Sequence, residues 1–166
     1  MTDSLTGGTP EPGRHSAAIG AVEVSMGALS RRLQLVLKNA ATAIDPSLPP
    51  AGFQLLRLIE HCGSVQAGVA AERLVVDRSV VSRHIRQLEE LGLVETRTDP
   101  SDGRARFLVL TEEGVRRMRA VNPSGKSITH ALLTEWEVDE LEGFAAQLER
   151  LTAAIDHRND EGPSTD

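Results

Sequence analysis

Between Asp77 and Leu91 the apolar residues Val81, Ile85, Leu88 and Leu91 recur at spacings of four and three. A helix through this stretch puts all four on one side, and that side must face a domain. At about 100° per residue, Ser79, Ser82, Arg83 and Arg86 project from the other side, a short, polar and basic surface. Asp77 stands where an N-cap acceptor serves the first turn, so the helix is expected to begin at Arg78. Gly92 stands where a left-handed residue closes the last turn. Beyond it, Leu93 to Thr98 and Arg106 to Leu110 are rich in β-branched and apolar residues and bracket the turn-forming segment DPSDGRA. The prediction is a helix followed by a two-stranded hairpin.

A helix face of this kind fits the major groove of duplex DNA, which is about 12 Å wide and admits one helix. There an arginine can grip guanine O6 and N7, and serine can reach bases or phosphates. Arg83 is the leading candidate for a DNA contact, joined by Arg78, Ser79, Ser82 and Arg86. The hairpin adds Arg104 at its tip, with Arg97 and Arg106 on its flanks. Asp99 and Asp102 are near enough in sequence to orient one of these guanidiniums through charge-assisted hydrogen bonds. An arginine there could enter a narrow minor groove, where negative potential is concentrated. The competing reading of Arg78, Arg83 and Arg86 is a solvated helix face with ordinary surface charge. The adjoining basic hairpin favours DNA.

Three segments, DRSVVSRHIRQLEELGLVETR, DPSDGRA and LVLTEEG, together give Asp77 to Gly114 a close resemblance to the core of the MarR family of winged-helix transcriptional regulators. A looser likeness covers about Ile19 to Arg158. The resemblance implies a mainly α fold with a small β-hairpin wing, a winged helix-turn-helix carrying long N- and C-terminal dimerisation helices. It further implies a homodimer that binds double-stranded DNA at an inverted-repeat operator. Repression would be relieved by a small apolar or aromatic effector held between the dimer-forming helices and the winged head. In this chain that pocket would draw on Leu33, Leu37, Leu55, Ile59 and Met118, each of which also reads as ordinary core. The sequence departs from the family pattern at two points. Gly103 occupies a wing position where arginine is frequent, and Val75 falls in the turn before the reading helix, where small residues are usual. A β-branched residue disfavours positive φ, so that turn is expected to be longer or differently shaped.

The flanking segments supply a helical frame. Ile19, Val22, Met26, Leu29, Leu33, Val36, Ala40 and Ile44 repeat at three and four, giving a long first helix that stops before Asp45-Pro46. Pro50 opens a second helix to about His61, and Ser64 is the expected cap of a third running through Ala70, Ala71 and Leu74. Thr111 caps a fifth helix that Asn122-Pro123 must break, with resumption expected near Pro123. Thr134 and Glu137 form a T-x-x-E capping box for a last helix to about His157, bearing Leu141, Phe144, Leu148, Leu151 and Ile155. The boundaries are a disordered tail over 1–16, a dimerisation helix over 17–47 and a winged helix-turn-helix lobe over 48–121. C-terminal dimerisation helices follow over 122–157, then a disordered tail over 158–166. The two apolar end seams either meet a second protomer or fold back on their own domain.

Composition sets outer limits. With 166 residues, 40% of them apolar, the chain can bury one sizeable core. Its net charge of −6 means that a DNA binder must segregate its basic residues. No apolar run approaches the roughly 20 residues that span a bilayer, so membrane association is not expected and a cytoplasmic location is. Cys62 is the sole cysteine, which excludes an intrachain disulfide and a four-cysteine zinc site; it reads as a small buried hydrophobe or as a redox switch. His84 projects nearer the core face and is expected to pack. Ser124-Gly125-Lys126-Ser127 imitates the end of a phosphate-binding loop, but the glycine such a loop needs is replaced by Ala120. With no nucleophile and base pair, no metal constellation and no cofactor loop, enzymatic activity, cofactors and metals are not expected. A winged helix that binds protein instead of DNA would show an apolar or neutralised recognition face.

Overall fold

Prolines, glycines and short polar turns punctuate the chain into its helices and one hairpin. The computed structural model describes residues 12–98, 106–122 and 128–160. In chain order the elements are α1 (Pro12–Ile44), α2 (Pro50–Cys62), α3 (Ala67–Leu74), α4 (Arg78–Glu90), β1 (Val94–Thr98), β2 (Arg106–Leu110), α5 (Glu112–Val121), α6 (Ile128–Leu133) and α7 (Val138–Asp160). They form two units, one carrying α1 to α5 with the hairpin, the other α6 and α7.

In the first unit α1 stops at the turn Asp45–Leu48. The Asp45 carboxylate accepts from the Ser47 amide at 2.8 Å and the Ser47 hydroxyl at 2.6 Å. These bonds hold the Asp45 carboxyl below its ordinary value, the serine hydroxyl being the main cause. Pro50 then starts α2, where its missing N–H costs nothing. Leu55, Leu56 and Ile59 of α2 meet Val81 and Leu88 of α4, Leu93 and Met118 in a closed core from which water is excluded. Each such side chain contributes about 1.5–3 kcal/mol by leaving water. The hairpin is antiparallel with Val94 opposite Leu110 and Thr98 opposite Arg106. Midway along β2 Val65 adds an isolated two-bond bridge to Leu108, at 3.1 and 2.8 Å, on the edge away from β1.

The hairpin meets α5 through a close contact at Gly114. Thr111 caps α5 as predicted, its hydroxyl accepting from the Gly114 amide at 3.0 Å while donating to the Gly92 carbonyl at 2.6 Å. The Thr111 amide donates to the Leu93 carbonyl at 3.1 Å. That same carbonyl oxygen lies 2.1 Å from where a Cβ on Gly114 would stand, so only glycine fits.

In the second unit α7 presents Phe144, Leu148, Leu151 and Ile155 to the outside, and Trp136 packs on Phe144 with ring centroids 5.6 Å apart. In the first unit Ile19, Val22, Met26, Leu29 and Leu33 of α1 are likewise exposed.

Several boundaries differ from expectation. Residues 12–16, assigned to a tail, continue α1, because the fixed φ of Pro12 suits a first helical turn. Ser64 does not cap α3; Val65 is committed to the bridge with Leu108, which delays the helix until Ala67 with Gln66 at its N-cap. The Thr134 hydroxyl turns back to the His130 carbonyl at 2.8 Å. The reciprocal half of a capping box is made three residues on, where the Glu137 amide donates to the Glu140 carboxylate at 3.1 Å. α7 also runs on to Asp160, past the expected end at His157. The phosphate-loop mimic at 124–127 lies outside the described residues.

Candidate nucleic-acid interface

The reading helix α4 is held between two turns of the same design. At its C-terminal end the Gly92 amide donates to the Glu89 carbonyl and the Leu93 amide to Leu88, both at 2.9 Å, with Gly92 at φ 69°. Before it, α3 closes through the Val75 amide to Glu72 at 3.2 Å and the Val76 amide to Ala71 at 3.1 Å. Val75 here adopts φ 53° and ψ 50°. The expectation of a longer turn is therefore corrected: the turn has the usual compact form, with valine in the left-handed conformation. For a non-glycine residue that costs roughly 1–2 kcal/mol. Asp77 holds the N-cap position, its carbonyl accepting from the Val80 and Val81 amides at 3.0 and 3.2 Å, but its carboxylate makes no capping bond. It still places negative charge at the positive end of the helix.

Val81 and Leu88 fix the inner face of α4 in the core. The Gln87 amide group donates to the Ser47 carbonyl at 2.8 Å, and the Thr96 hydroxyl donates to Glu89 at 2.7 Å. Neither tether was foreseen, because both partners come from distant turns or strands. Arg78, Ser79, Ser82, Arg83 and Arg86 are exposed as the periodicity required. Among the described residues no carboxylate lies within 4.0 Å of Arg78, Arg83 or Arg86. Three guanidiniums thus face outward without internal neutralisation. His84 packs half-buried, as expected, and its buried Nδ1 has no partner. Burial, with help from the Arg83 charge, holds its pKa below the ordinary value and so favours the neutral ring.

Strand alternation sorts the wing residues. Thr96, Thr98 and Arg106 join Ser82, Ile85, Arg86 and Glu89 around an open cleft of about 400 Å³ between α4 and the hairpin. Glu95 and Arg97 take the opposite face, beside Arg116 and Arg119 of α5. There the Arg97 Nε donates to Glu95 Oε1 at 2.8 Å. Arg106 therefore belongs with the α4 surface. Arg97 does not, because it is one strand position out of phase with Thr96 and Thr98. Arg104, Asp99 and Asp102 lie outside the described residues.

The residues assigned to an effector pocket separate. Leu55, Ile59 and Met118 are part of the closed core, Leu37 packs against its edge, and Leu33 is exposed on α1. Cys62 is partly exposed and has a cationic neighbour that the sequence did not suggest: Arg73 Nη1 donates to its sulfur at 3.0 Å. The packing of α2 on α3 brings together residues eleven apart.

The arrangement can straddle a negatively charged duplex, with a helix for the major groove and a ribbon beside it. Comparison with known proteins agrees. A sequence model of the MarR family matches residues 47–105, from the α1–α2 turn into the wing. YxaD, an uncharacterised HTH-type transcriptional regulator of Bacillus subtilis, is 30% identical over 109 residues, 66% of this chain and 76% of that protein. A crystal structure of a MarR family transcription regulator superposes with a TM-score of 0.70 at 16% identity, covering 89% of this chain and 97% of that one. The PcaV transcriptional regulator of Streptomyces coelicolor, solved with its natural ligand, gives a TM-score of 0.53 at 26% identity over 78% of this chain and 92% of that one. No helix among the described residues is long and apolar enough to cross a membrane. With its winged helix-turn-helix fold and these relatives, the chain belongs to the MarR family and is a DNA-binding transcriptional regulator, not an enzyme.

Proposed function

We propose that the protein is a cytoplasmic homodimeric repressor that reads an inverted-repeat operator and is released by a small apolar or aromatic ligand. The outward face of Arg78, Arg83 and Arg86, with no carboxylate within 4.0 Å among the described residues, carries this reading. Arg83 reads a base, Ser79, Ser82, Arg78 and Arg86 support it on bases and phosphates, and Arg106 grips the backbone from the wing. Arg104 reaches the minor groove, oriented by Asp99 or Asp102. The exposed apolar faces of α1 and α7 support dimerisation over 17–47 and 122–157, each with a row of large side chains that a single unit leaves in water. Two protomers then set their reading helices about 34 Å apart. Structures similar to this one have been solved with a natural ligand or with pseudoligands, which supports an effector. A ligand releases DNA only if it prefers the spacing that DNA does not, a coupling of about 1–3 kcal/mol in ordinary cases.

Fluorescence anisotropy with the duplex from the protein's own upstream region, against a scrambled duplex at two salt concentrations, tests the reading. Specific, salt-sensitive binding at two protomers per site is expected. Arg83→Ala should lose about 1–3 kcal/mol on the specific duplex and little on the scrambled one. Equal loss on both would remove Arg83 from base recognition. Oxidant sensing at Cys62 is a second reading, favoured by the Arg73 guanidinium at its sulfur; peroxide should then release DNA from the wild type and not from Cys62→Ser.

A further inference from the structure

The two turns that flank α4 use the same pair of backbone hydrogen bonds, but one is closed by glycine and the other by valine. Gly92 takes φ 69° without a steric cost; Val75 takes φ 53° with one. Val75 is the only non-glycine residue with positive φ among the described residues. Its side chain is 89% exposed, so packing within the protein does not offset the strain. Glycine would close the turn with less strain, as it does seventeen residues later at Gly92. Strain retained at an exposed position points to a use for the side chain outside the fold.

The position narrows that use. Val75 lies three residues before Arg78, on the turn that delivers the N-terminal end of α4. Val69 on α3 and Val76 in the same turn are also exposed. Arg78 leans over α3, its Nη2 being 3.8 Å from the position a Cβ on Gly68 would take. A small apolar edge therefore lies near Arg78, whose guanidinium has no carboxylate within 4.0 Å among the described residues. A surface that is cationic with apolar spots complements a duplex, whose only large apolar group in the major groove is the thymine methyl.

We propose that Val75 packs its isopropyl group against a thymine C5-methyl at the edge of each half-site, and so adds a sequence preference to that of the α4 side chains. This inference rests on the reading of α4 as the DNA-contacting helix. It assigns the strained valine to thymine selection.

The test compares wild type with Val75→Gly on the operator and on the same duplex with every dT replaced by dU, which removes the methyls and little else. Val75→Gly is expected to melt higher than wild type, so a folding failure does not cloud the result. Wild type should lose roughly three- to tenfold in affinity on the dU duplex, and Val75→Gly a similar factor on the dT duplex, while the two proteins bind the dU duplex alike. If Val75→Gly binds the dT duplex as tightly as wild type, or loses affinity equally on dT and dU, the proposal is overturned. The second pattern would reflect a looser turn or a sugar contact. Val75→Asn, which tolerates the left-handed conformation but offers no apolar group, should behave as Val75→Gly. Failure of wild type to prefer its operator over a scrambled duplex would instead overturn the underlying assignment of α4.

Discussion

Gly114→Ala should destabilise the winged lobe by roughly 2–4 kcal/mol, although alanine is the better helix former. The added Cβ would lie 2.1 Å from the Leu93 carbonyl oxygen and 3.0 Å from its carbon. Those atoms are backbone, and the oxygen already accepts from the Thr111 amide at 3.1 Å, so it cannot swing aside freely. Forcing α5 away costs about 1–3 kcal/mol in overpacking. Losing the bond to a carbonyl in a fully buried residue adds about 1–3 kcal/mol, and the helical preference of alanine returns about 1. Met118, one turn along the same face of α5, would be lifted from the core as well. Urea unfolding followed by circular dichroism at fixed protein concentration reads the loss as a lower midpoint, by about 1–2 M for an m-value of about 2 kcal/mol/M. Gly92→Ala is the control. It meets nothing within 4 Å and carries only the cost of φ 69°, about 1–2 kcal/mol. A Gly114→Ala protein as stable as wild type would refute the close approach of α5 to the Leu93 carbonyl.

Two further outcomes follow from the hairpin and from α5. Arg106→Ala should lower the dependence of DNA binding on salt by about one released counterion, whereas Arg97→Ala, on the other face, should leave the slope unchanged; equal slopes for the two variants would contradict the assigned strand phase. The Glu113 carboxyl is held down to about 2, first by its hydrogen bonds with Arg116 at 2.6 and 2.7 Å and then by Arg117 at 2.6 Å. Its folded value lies below its unfolded one, so its stabilising effect is complete above about pH 4.5 and fades as the pH falls toward 2. Denaturation midpoints should therefore fall more steeply over that interval in wild type than in Glu113→Gln, most clearly at low salt; parallel curves would show that the cluster adds nothing.

The reading helix was legible because period, caps and charge agree over Asp77–Gly92. The hairpin was legible because turn formers separate two β-rich runs. Features that rest on long-range partners were not. Whether Ser64 or Gln66 precedes α3 depends on Leu108 claiming Val65, forty-three residues away in sequence. The capping box at Thr134 failed because α7 begins only at Val138, so Glu137 and not Thr134 precedes its first turn, and the Thr134 hydroxyl donates back to the His130 carbonyl. Sequence could not sort Arg97 from Arg106 until the register put Thr98 opposite Arg106. The strain at Val75 shows the reverse case: local preference was read correctly, and the backbone bonds of the turn outweighed it.

The turn that ends α1 has a consequence for how this chain can change over time. Surface connections usually absorb inserted residues with little harm, since their length affects closure entropy only weakly. Here the Ile44 carbonyl receives Arg117 of α5 at 3.2 Å and the Ser47 carbonyl receives Gln87 of α4 at 2.8 Å. Those two acceptors are three residues apart and serve different helices. One added residue between them would advance one grip relative to the other, rotating α4 against α5 without touching any side chain that faces outward. Length at Asp45–Ser47 should thus be guarded as strictly as identity in the core, and natural variation in loop length should collect elsewhere.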